Sequence, residues 1–420
     1  MPLVKQPVTG MKDITPKEME IREYCIRLIQ DTYRSFGFVS METPCVEHLE
    51  NLGSKQGGEN EKLIFKILKR GEKLRLSEAK EERDITDGGL RYDLTVPLAR
   101  YYSAHANELP SPFKALQMGN VWRADRPQKG RFRQFMQCDI DILGEASNVA
   151  EIELILATTT LIGKLGFTDF TVRINDRKLL KAMAAYSGFP EDSFDSIFII
   201  LDKMDKIGIE GVRKEMIENE MDSESVSKYL SLFESIYLGV DCIGELKEKL
   251  GAYLPEGTAE SLINIITIVE GNSSAKFKMQ FDPTLVRGMS YYTGSIFEIG
   301  VGEFASSIGG GGRYDEMIGK FTGQKTPACG FSIGFERIIM LLLEKDFEVP
   351  ATVGKTAYLL EKGISTEKLN EIFGIAKAQR ESGKQISILV MKKNKKFQKE
   401  QLEEQGFTEI KDFYKDNLSY

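Results

Sequence analysis

The chain has 420 residues, 41% hydrophobic and 28% charged, with a net charge of -7. This is an ordinary globular composition on a chain long enough for about two or three domains. Five scattered cysteines without a C-x-x-C pair, only two histidines and no long apolar run argue against a disulfide framework, a zinc or histidine-rich metal centre, a Ser-His-Asp hydrolase and a membrane span.

In chain order, residues 16 to 36 read as a helix: Thr15 is the candidate N-cap, and Ile21, Cys25, Leu28, Ile29 and Tyr33 fall at helical spacing. Gly37 ends it, and Phe38 to Pro44 reads as a strand. Residues 63 to 102 alternate between short strands and turns, with RYDLTVPLARYY a strand end running into a helix. Val121 to Gly144 reads as a hairpin. A helix over Val149 to Leu165 follows, then a strand through Phe170, Val172 and Ile174. Residues 176 to 275 change character and read as a helical insertion. Strand patterning returns at Phe277, Met279 and Phe281 and runs on through Tyr291 to Val301. After Gly309 to Gly312 comes a helix from about Gly334 to Leu343. A linker containing Pro350 leads to a strand, helix, strand, helix, strand tail. The expected fold class is therefore α+β: a mainly antiparallel sheet flanked by helices, interrupted by helices, with a small α/β domain at the end. The expected division is 1–175 and 276–345 as two parts of one core, 176–275 as the insertion and 351–420 as the tail domain.

The hairpin VWRADRPQKGRFRQFMQCDIDILG is the most informative stretch. It carries Arg123, Arg126, Lys129, Arg131 and Arg133 within eleven positions of an acidic protein. Read as two strands joined at Pro127 to Gly130, alternation puts Phe132, Met136, Cys138, Ile140 and Ile142 on one side. Arg131, Arg133, Gln137, Asp139 and Asp141 share the other. Guanidinium forks at one end and carboxylates at the other suit a ligand with phosphate at one end and cationic or donor groups at the other. Taken alone, the same pattern also describes a solvated amphipathic hairpin. The acidic net charge argues against a general nucleic-acid coat but allows such local basic patches.

No G-x-x-x-x-G-K-[ST] and no strand-linked G-x-G-x-x-G is present, so nucleotide binding through a P-loop or Rossmann fold is not expected. The run Gly309 to Gly312 removes every Cβ and lets backbone approach a ligand, though alone it reads as a flexible turn. In LVRGMSYYTG, Arg287 sits between apolar strand halves, where a buried guanidinium needs an anionic partner. In GFSIGFER, Arg337 lies in the first turn of an apolar helix, where backbone N–H groups and the dipole favour an anion.

Together these segments resemble the histidyl-tRNA synthetases, class II aminoacyl-tRNA synthetases, over about residues 8 to 345. VWRADRPQKGRFRQF resembles motif 2 and GFSIGFER motif 3. LVRGMSYYTG and SIGGGGRYD resemble the two histidine-specific signatures. The first helix with GFVSMETP resembles motif 1, which in that family builds a homodimer. The resemblance implies ATP-dependent activation of L-histidine and its transfer to tRNA(His), with Mg2+ accompanying ATP and a cytoplasmic location. It implies Arg123 on the α-phosphate with Arg287 opposite, and Asp125, Arg131 and Arg337 also at the ATP, Arg337 on the γ-phosphate. It implies Asp93, Thr95 and Gln137 at the substrate α-amino group. Asp141 would accept from the imidazole, with Arg287, Tyr291 and Tyr292 in the same pocket. Arg126 and Gln128 would reach the tRNA acceptor end.

The chain departs from the family pattern in three places. Asp125 stands where Glu is commoner, and Ser290 where Asp is common. Residues 351 to 420 match a shortened anticodon-binding domain whose last strands are absent from the pattern. Five lysines between Lys392 and Lys399 fit RNA phosphates or a solvated helix face. The shortened tail also fits an alternative: a non-acylating paralogue that binds histidine as a regulatory subunit of ATP phosphoribosyltransferase. The presence of Arg123, Arg287 and Arg337 favours the enzyme.

Overall fold

The computed structural model describes residues 3–53, 60–128, 130–234, 240–286, 291–302, 307–350 and 354–415. Lys129, Arg287 and Ser290 therefore lie outside the described residues. The chain forms two units: Arg22–Lys345 with the stretch up to Ile14, and Asp346 onward with Thr15–Ile21.

In chain order the strands of the larger unit are β1 Val39–Met41, β2 Val46–His48, β3 Lys66–Leu68, β4 Thr86–Leu90, β5 Phe113–Trp122, β6 Gln134–Leu143, β7 Phe170–Asp176, β8 Lys278–Phe281, β9 Ser295–Val301, β10 Gly309–Arg313 and β11 Ala328–Ile333. Eight of them make one sheet in the order β1-β5-β6-β11-β10-β9-β7-β8. The inner pairs are antiparallel, and only β1 on β5 and β7 on β8 run parallel. β2, β4 and β3 form a second, small antiparallel sheet. This bears out the α+β expectation.

β6 lies inside the large sheet between β5 and β11. Its alternation buries Cys138, Ile140 and Ile142 on one face, as apolar periodicity requires. The helix Val149–Lys164 packs on β6 and β11. It buries Leu154, Ile155, Leu161 and Ile162 completely, each side chain contributing roughly 1.5–3 kcal/mol. The opposite face of β6 carries Gln137, Asp139 and Asp141, and these are buried too. Burial of that many polar groups on one strand is uncommon and marks a ligand face rather than a solvated one.

The hairpin is longer than the sequence reading made it, and its strands stop earlier. The β5–β6 ladder ends at Trp122 opposite Gln134. The arginine-rich stretch from Arg123 to Arg133 is a loop. Its base is closed by the Arg123 N–H on the Arg133 carbonyl, 2.9 Å, and its tip by a Gln128–Arg131 bridge. Pro127 cannot donate to a ladder and Gly130 has φ of +73°, so the strands cannot continue through the tip.

The glycine run is not a turn. Gly309 to Arg313 is β10, buried between β9 and β11. A Cβ on Gly311 would overlap the Gly330 carbonyl and the Phe297 ring. Without one, Phe297 and Phe331 stack with centroids 4.9 Å apart. Among the described residues, strand structure after β8 resumes at Ser295, later than the pattern of Tyr291 to Val301 indicated.

Between β7 and β8 lie the helices Arg177–Ser187, Phe194–Leu201, Met204–Glu218, Ser223–Glu234, Val240–Leu250 and Thr258–Asn272. Met183, Val212, Met216 and Leu230 are fully buried among them.

The smaller unit is a parallel sheet in the order β13-β12-β14, with β12 Lys355–Leu360, β13 Gln385–Val390 and β14 Phe407–Phe413. Tyr358 and Leu360 join a core with Ile372 and Ala376 of the helix Thr366–Glu381, while Ala357 and Leu359 join another with Leu402 of the helix Lys395–Glu404. Ser365 and Asn394 cap the two helices through their side-chain oxygens. In the lysine cluster, Lys395 and Lys399 pair with Asp412 at 2.7 and 2.8 Å, whereas Lys396 is exposed.

Candidate active site

One pocket in the larger unit gathers residues from four parts of the chain: the turn before helix Thr95–His105, the β5–β6 hairpin, Tyr291–Tyr292, and β10–β11 with the helix Phe335–Glu344. Its polar groups divide into an acidic and a basic set.

The acidic set is Asp93, Asp139 and Asp141. In the β6–β11 register Asp141 faces Gly330 and Asp139 faces Ser332. A Cβ at position 330 would overlap Asp141 Oδ1, so glycine there makes room for the carboxylate. Tyr314 donates its hydroxyl to Asp141 Oδ1. Asp93 Oδ1 accepts from the Val96 N–H at 3.1 Å, one of the free N–H groups in the first turn of the helix that follows. Asp93 Oδ2 and Asp141 Oδ2 are buried and have no partner among the described residues. Burial pushes the Asp93 carboxyl up to about 6 and Asp139 up to about 7. Burial, and then the neighbouring Asp139, holds Asp141 well above the ordinary carboxylate range. Two orphaned acceptors and three reluctant carboxylates in one pocket call for a ligand that brings N–H donors or positive charge.

The basic set is Arg123, Arg131 and Arg337, with Asp125 beside them. Arg123 donates from Nε to the Tyr92 carbonyl at 2.8 Å and from Nη2 to Gln137 Oε1 at 3.2 Å. Its guanidinium lies over the Phe135 ring, 5.1 Å from the centroid. Arg337, in the first turn of its helix, donates to the Ser307 carbonyl. Its neighbour Glu336 is taken up by Arg22 in a two-pronged pair of 2.6 and 2.8 Å, and also accepts from the Met136 N–H at 3.1 Å. That pair offsets the carboxylate next to Arg337 in sequence, which would otherwise oppose an anion there.

The pocket brings together Asp93, Thr95, Arg123, Asp125, Arg131, Gln137, Asp141, Tyr291, Tyr292 and Arg337 of the expected set. Arg287 falls outside the described residues. Arg126 and Gln128 do not line it; both are exposed at the loop tip. Arg313, within the glycine signature, faces away: its guanidinium makes two 2.7 Å contacts with buried Glu151 and fixes the end of β10. Sequence reasoning assigned no role to Asp139, Tyr314 or the Arg22–Glu336 pair. Asp139 was legible as a member of the polar face of β6. The other two depend on contacts 173 and 314 residues apart along the chain. Among the described residues no group of three or more His, Cys, Asp or Glu is placed to hold a metal ion. No described helix is long and apolar enough to cross a membrane.

Comparison with known proteins follows the same lines. The family model described as Histidyl-tRNA synthetase matches residues 10–338. A histidine--tRNA ligase of Leifsonia xyli subsp. xyli is 44% identical over 362 residues, covering 84% of this chain and 83% of its own. One from Christiangramia forsetii is 40% identical over 363 residues, covering 84% and 79%. The crystal structure of histidyl-tRNA synthetase from Nostoc sp. PCC 7120 superposes with a TM-score of 0.78 at 28% identity, over 97% of this chain and 90% of that one. A Bacillus halodurans structure described as an ATP phosphoribosyltransferase regulatory subunit/histidyl-tRNA synthetase reaches 0.79 at 20% identity over 99% of both chains, a likeness of fold alone. With its motifs, its sheet and four-fifths of its length shared with these ligases, the chain belongs to the histidyl-tRNA synthetase family.

Proposed function

We propose that the chain activates L-histidine with ATP and transfers it to the 3' end of tRNA(His). The observation that carries this reading is the pairing, in one pocket, of two unpartnered buried carboxylate oxygens with three arginines. A histidine supplies N–H donors to the first set through its ammonium and imidazole. ATP supplies phosphate oxygens to the second.

In the first step a histidine carboxylate oxygen attacks the α-phosphorus. A new P–O bond forms, the bond to the β-phosphate bridge breaks, and pyrophosphate leaves with the electron pair. The chain needs no nucleophile of its own for this, so its contribution is placement and charge neutralisation. Arg123 takes the α-phosphate, Arg287 opposes it, and Arg131, Asp125 and Arg337 hold the rest of the nucleotide, Arg337 at the γ-phosphate. Asp93, Thr95 and Gln137 hold the α-amino group. Asp141, held by Tyr314 through its other oxygen, accepts from the imidazole N–H, while Tyr291 and Tyr292 wall the ring. A buried carboxylate left unpaired by an apolar amino acid is what rejects it. Mg2+ accompanying ATP would supply further charge neutralisation at the phosphates beside Arg123, Arg131 and Arg337.

In the second step a ribose hydroxyl of the terminal nucleotide attacks the adenylate carbonyl and AMP leaves. The exposed loop tip with Arg126 and Gln128 is the part of the hairpin free to meet the acceptor end. A homodimer built through the first helix and the segment after it accompanies this reading. Acylation of a tRNA(His) transcript with radiolabelled histidine tests the whole sequence of steps. Histidine on the transcript supports it, and a bare transcript with active ATP present refutes it. The retention of Arg123, Arg131 and Arg337 around one pocket favours this reading over a histidine-binding regulatory subunit.

A further inference from the structure

We propose that Asp139 is a positioning residue: it fixes which way the Gln137 amide faces and thereby how the Arg123 guanidinium is held. This rests on the adenylation reading of the pocket.

The three side chains form one line. Gln137 Nε2 lies 3.1 and 3.3 Å from the two Asp139 oxygens and 3.2 Å from Ser332 Oγ. Gln137 Oε1 lies 3.2 Å from Arg123 Nη2. The ends of this line are chemically fixed. Once ionised, above about pH 7, the Asp139 carboxylate only accepts, and a guanidinium only donates. The amide between them has one orientation that satisfies both. Turned over, it would set its NH2 against the guanidinium and its carbonyl against the carboxylate, and both contacts would become repulsive.

Asp139 is itself fixed by the sheet. It stands opposite Ser332 in the β6–β11 ladder and opposite Gln117 in the β5–β6 ladder, and it is almost fully buried. Arg123 is at the mouth of the loop, beyond the last paired residues. Among the described residues its side chain has two hydrogen-bond acceptors, the Tyr92 carbonyl and Gln137 Oε1. Only the second is a side chain, and its direction depends on Asp139. The polar face of a rigid strand thus sets a loop arginine at the phosphate end of the pocket, and couples it to the acidic end without direct contact between the two.

Three variants separate orientation from charge and from packing: Asp139→Asn, Asp139→Leu, and Asp139→Leu with Gln137→Glu. Asparagine keeps an acceptor for Gln137 Nε2 and loses less than leucine does. Leucine removes the acceptor, leaves the amide free to turn, and weakens ATP use about tenfold or more at saturating histidine, since small misplacements of a reacting group cost on that order. Glutamate at 137 presents an oxygen to Arg123 in either orientation, so the double variant recovers much of what the single one loses. A pure charge effect would instead make asparagine as harmful as leucine. A pure packing effect would leave the double variant as poor as Asp139→Leu. The readouts are kcat and KM for ATP in histidine-dependent ATP–pyrophosphate exchange and the ATP dissociation constant by calorimetry, each on protein whose melting curve matches the parent. Asp139→Ala removes the acceptor without adding bulk and replaces the leucine variant should that one not fold. The order parent, Asn, Leu with recovery by Glu supports the inference. Parental behaviour of Asp139→Leu, or no recovery in the double variant, overturns it. Absence of exchange in the parent chain would count against the adenylation reading alone, and the calorimetric order would still decide the relay.

Discussion

Asp93 and Asp141 line the same buried pocket, and each keeps one carboxylate oxygen without a partner among the described residues. Two such orphans in one pocket are costly in a protein without its ligand, because each forgoes a hydrogen bond it could make in water. Their cost is offset when a donor-bearing ligand enters, and this makes them the strongest mark of the histidine end.

Removing one of them should separate amino-acid binding from nucleotide binding. Asp141→Leu is expected to raise the histidine requirement of the exchange reaction roughly a hundredfold, in the range of a lost charge-assisted hydrogen bond of about 2–3 kcal/mol. The ATP requirement should change little. Exchange kinetics with each substrate varied in turn checks this, and an equal effect on both would contradict the assignment.

The pocket carboxyls also predict how stability varies with pH. Asp93 and Asp139 titrate near 6 and near 7 in the folded chain, against about 3.9 when unfolded. Between about pH 4 and pH 7 the native state therefore holds more protons than the unfolded one. These two groups stabilise the fold at the acid end of that window, and the contribution is lost as pH rises through their folded values. Scanning calorimetry of the ligand-free protein from pH 5 to 8 should show a melting temperature that falls more steeply for the parent than for Asp139→Asn. Equal slopes would remove Asp139 from the explanation.

Gly330 faces Asp141 across the β6–β11 ladder, and a Cβ there meets Asp141 Oδ1. Gly330→Ala should displace that carboxylate and lower histidine affinity at least tenfold, on the order expected from misplacing a binding group. Gly300, whose Cβ position is open, provides the comparison, and Gly300→Ala should bind histidine as the parent does. Isothermal titration with histidine distinguishes the two.

The Arg22–Glu336 pair, with side chains 8% and 12% exposed, ties the first helix to the helix carrying Arg337. Arg22→Met leaves Glu336 without its guanidinium and should cost roughly 3–5 kcal/mol of stability. The double variant Arg22→Met, Glu336→Leu should be less impaired than Arg22→Met alone, because no buried charge is left over. Urea midpoints of the three proteins check the order.

Much of this was legible in the residues, for reasons that can be named. The alternation in QCDIDIL placed Asp141 and Gln137 on one face because a strand has a strict period of two. The strand and helix order of the tail followed from the same periodicities. What local pattern could not supply was the environment. Arg131 and Arg133 alternate as strand residues do, yet the ladder ends at Gln134, because pairing needs a partner strand and Pro127 interrupts it. Gly309 to Gly312 carry the composition of a turn, yet β9 and β11 pair with them on both sides, and at Gly311 the crowding by Phe297, Phe331 and the Gly330 carbonyl leaves room for no Cβ. Arg337 was legible at the start of an apolar helix, whereas the Arg22 that takes up its neighbour Glu336 lies 314 residues away.

The central claim is that this pocket joins histidine to ATP. Histidine-dependent ATP–pyrophosphate exchange, run with the purified chain, Mg2+ and each of the common amino acids in turn, tests it most directly. The account predicts exchange with histidine alone, lost on Arg123→Ala and on Arg287→Ala. Absence of exchange in the parent chain, or equal exchange with an apolar amino acid of similar size, would contradict it.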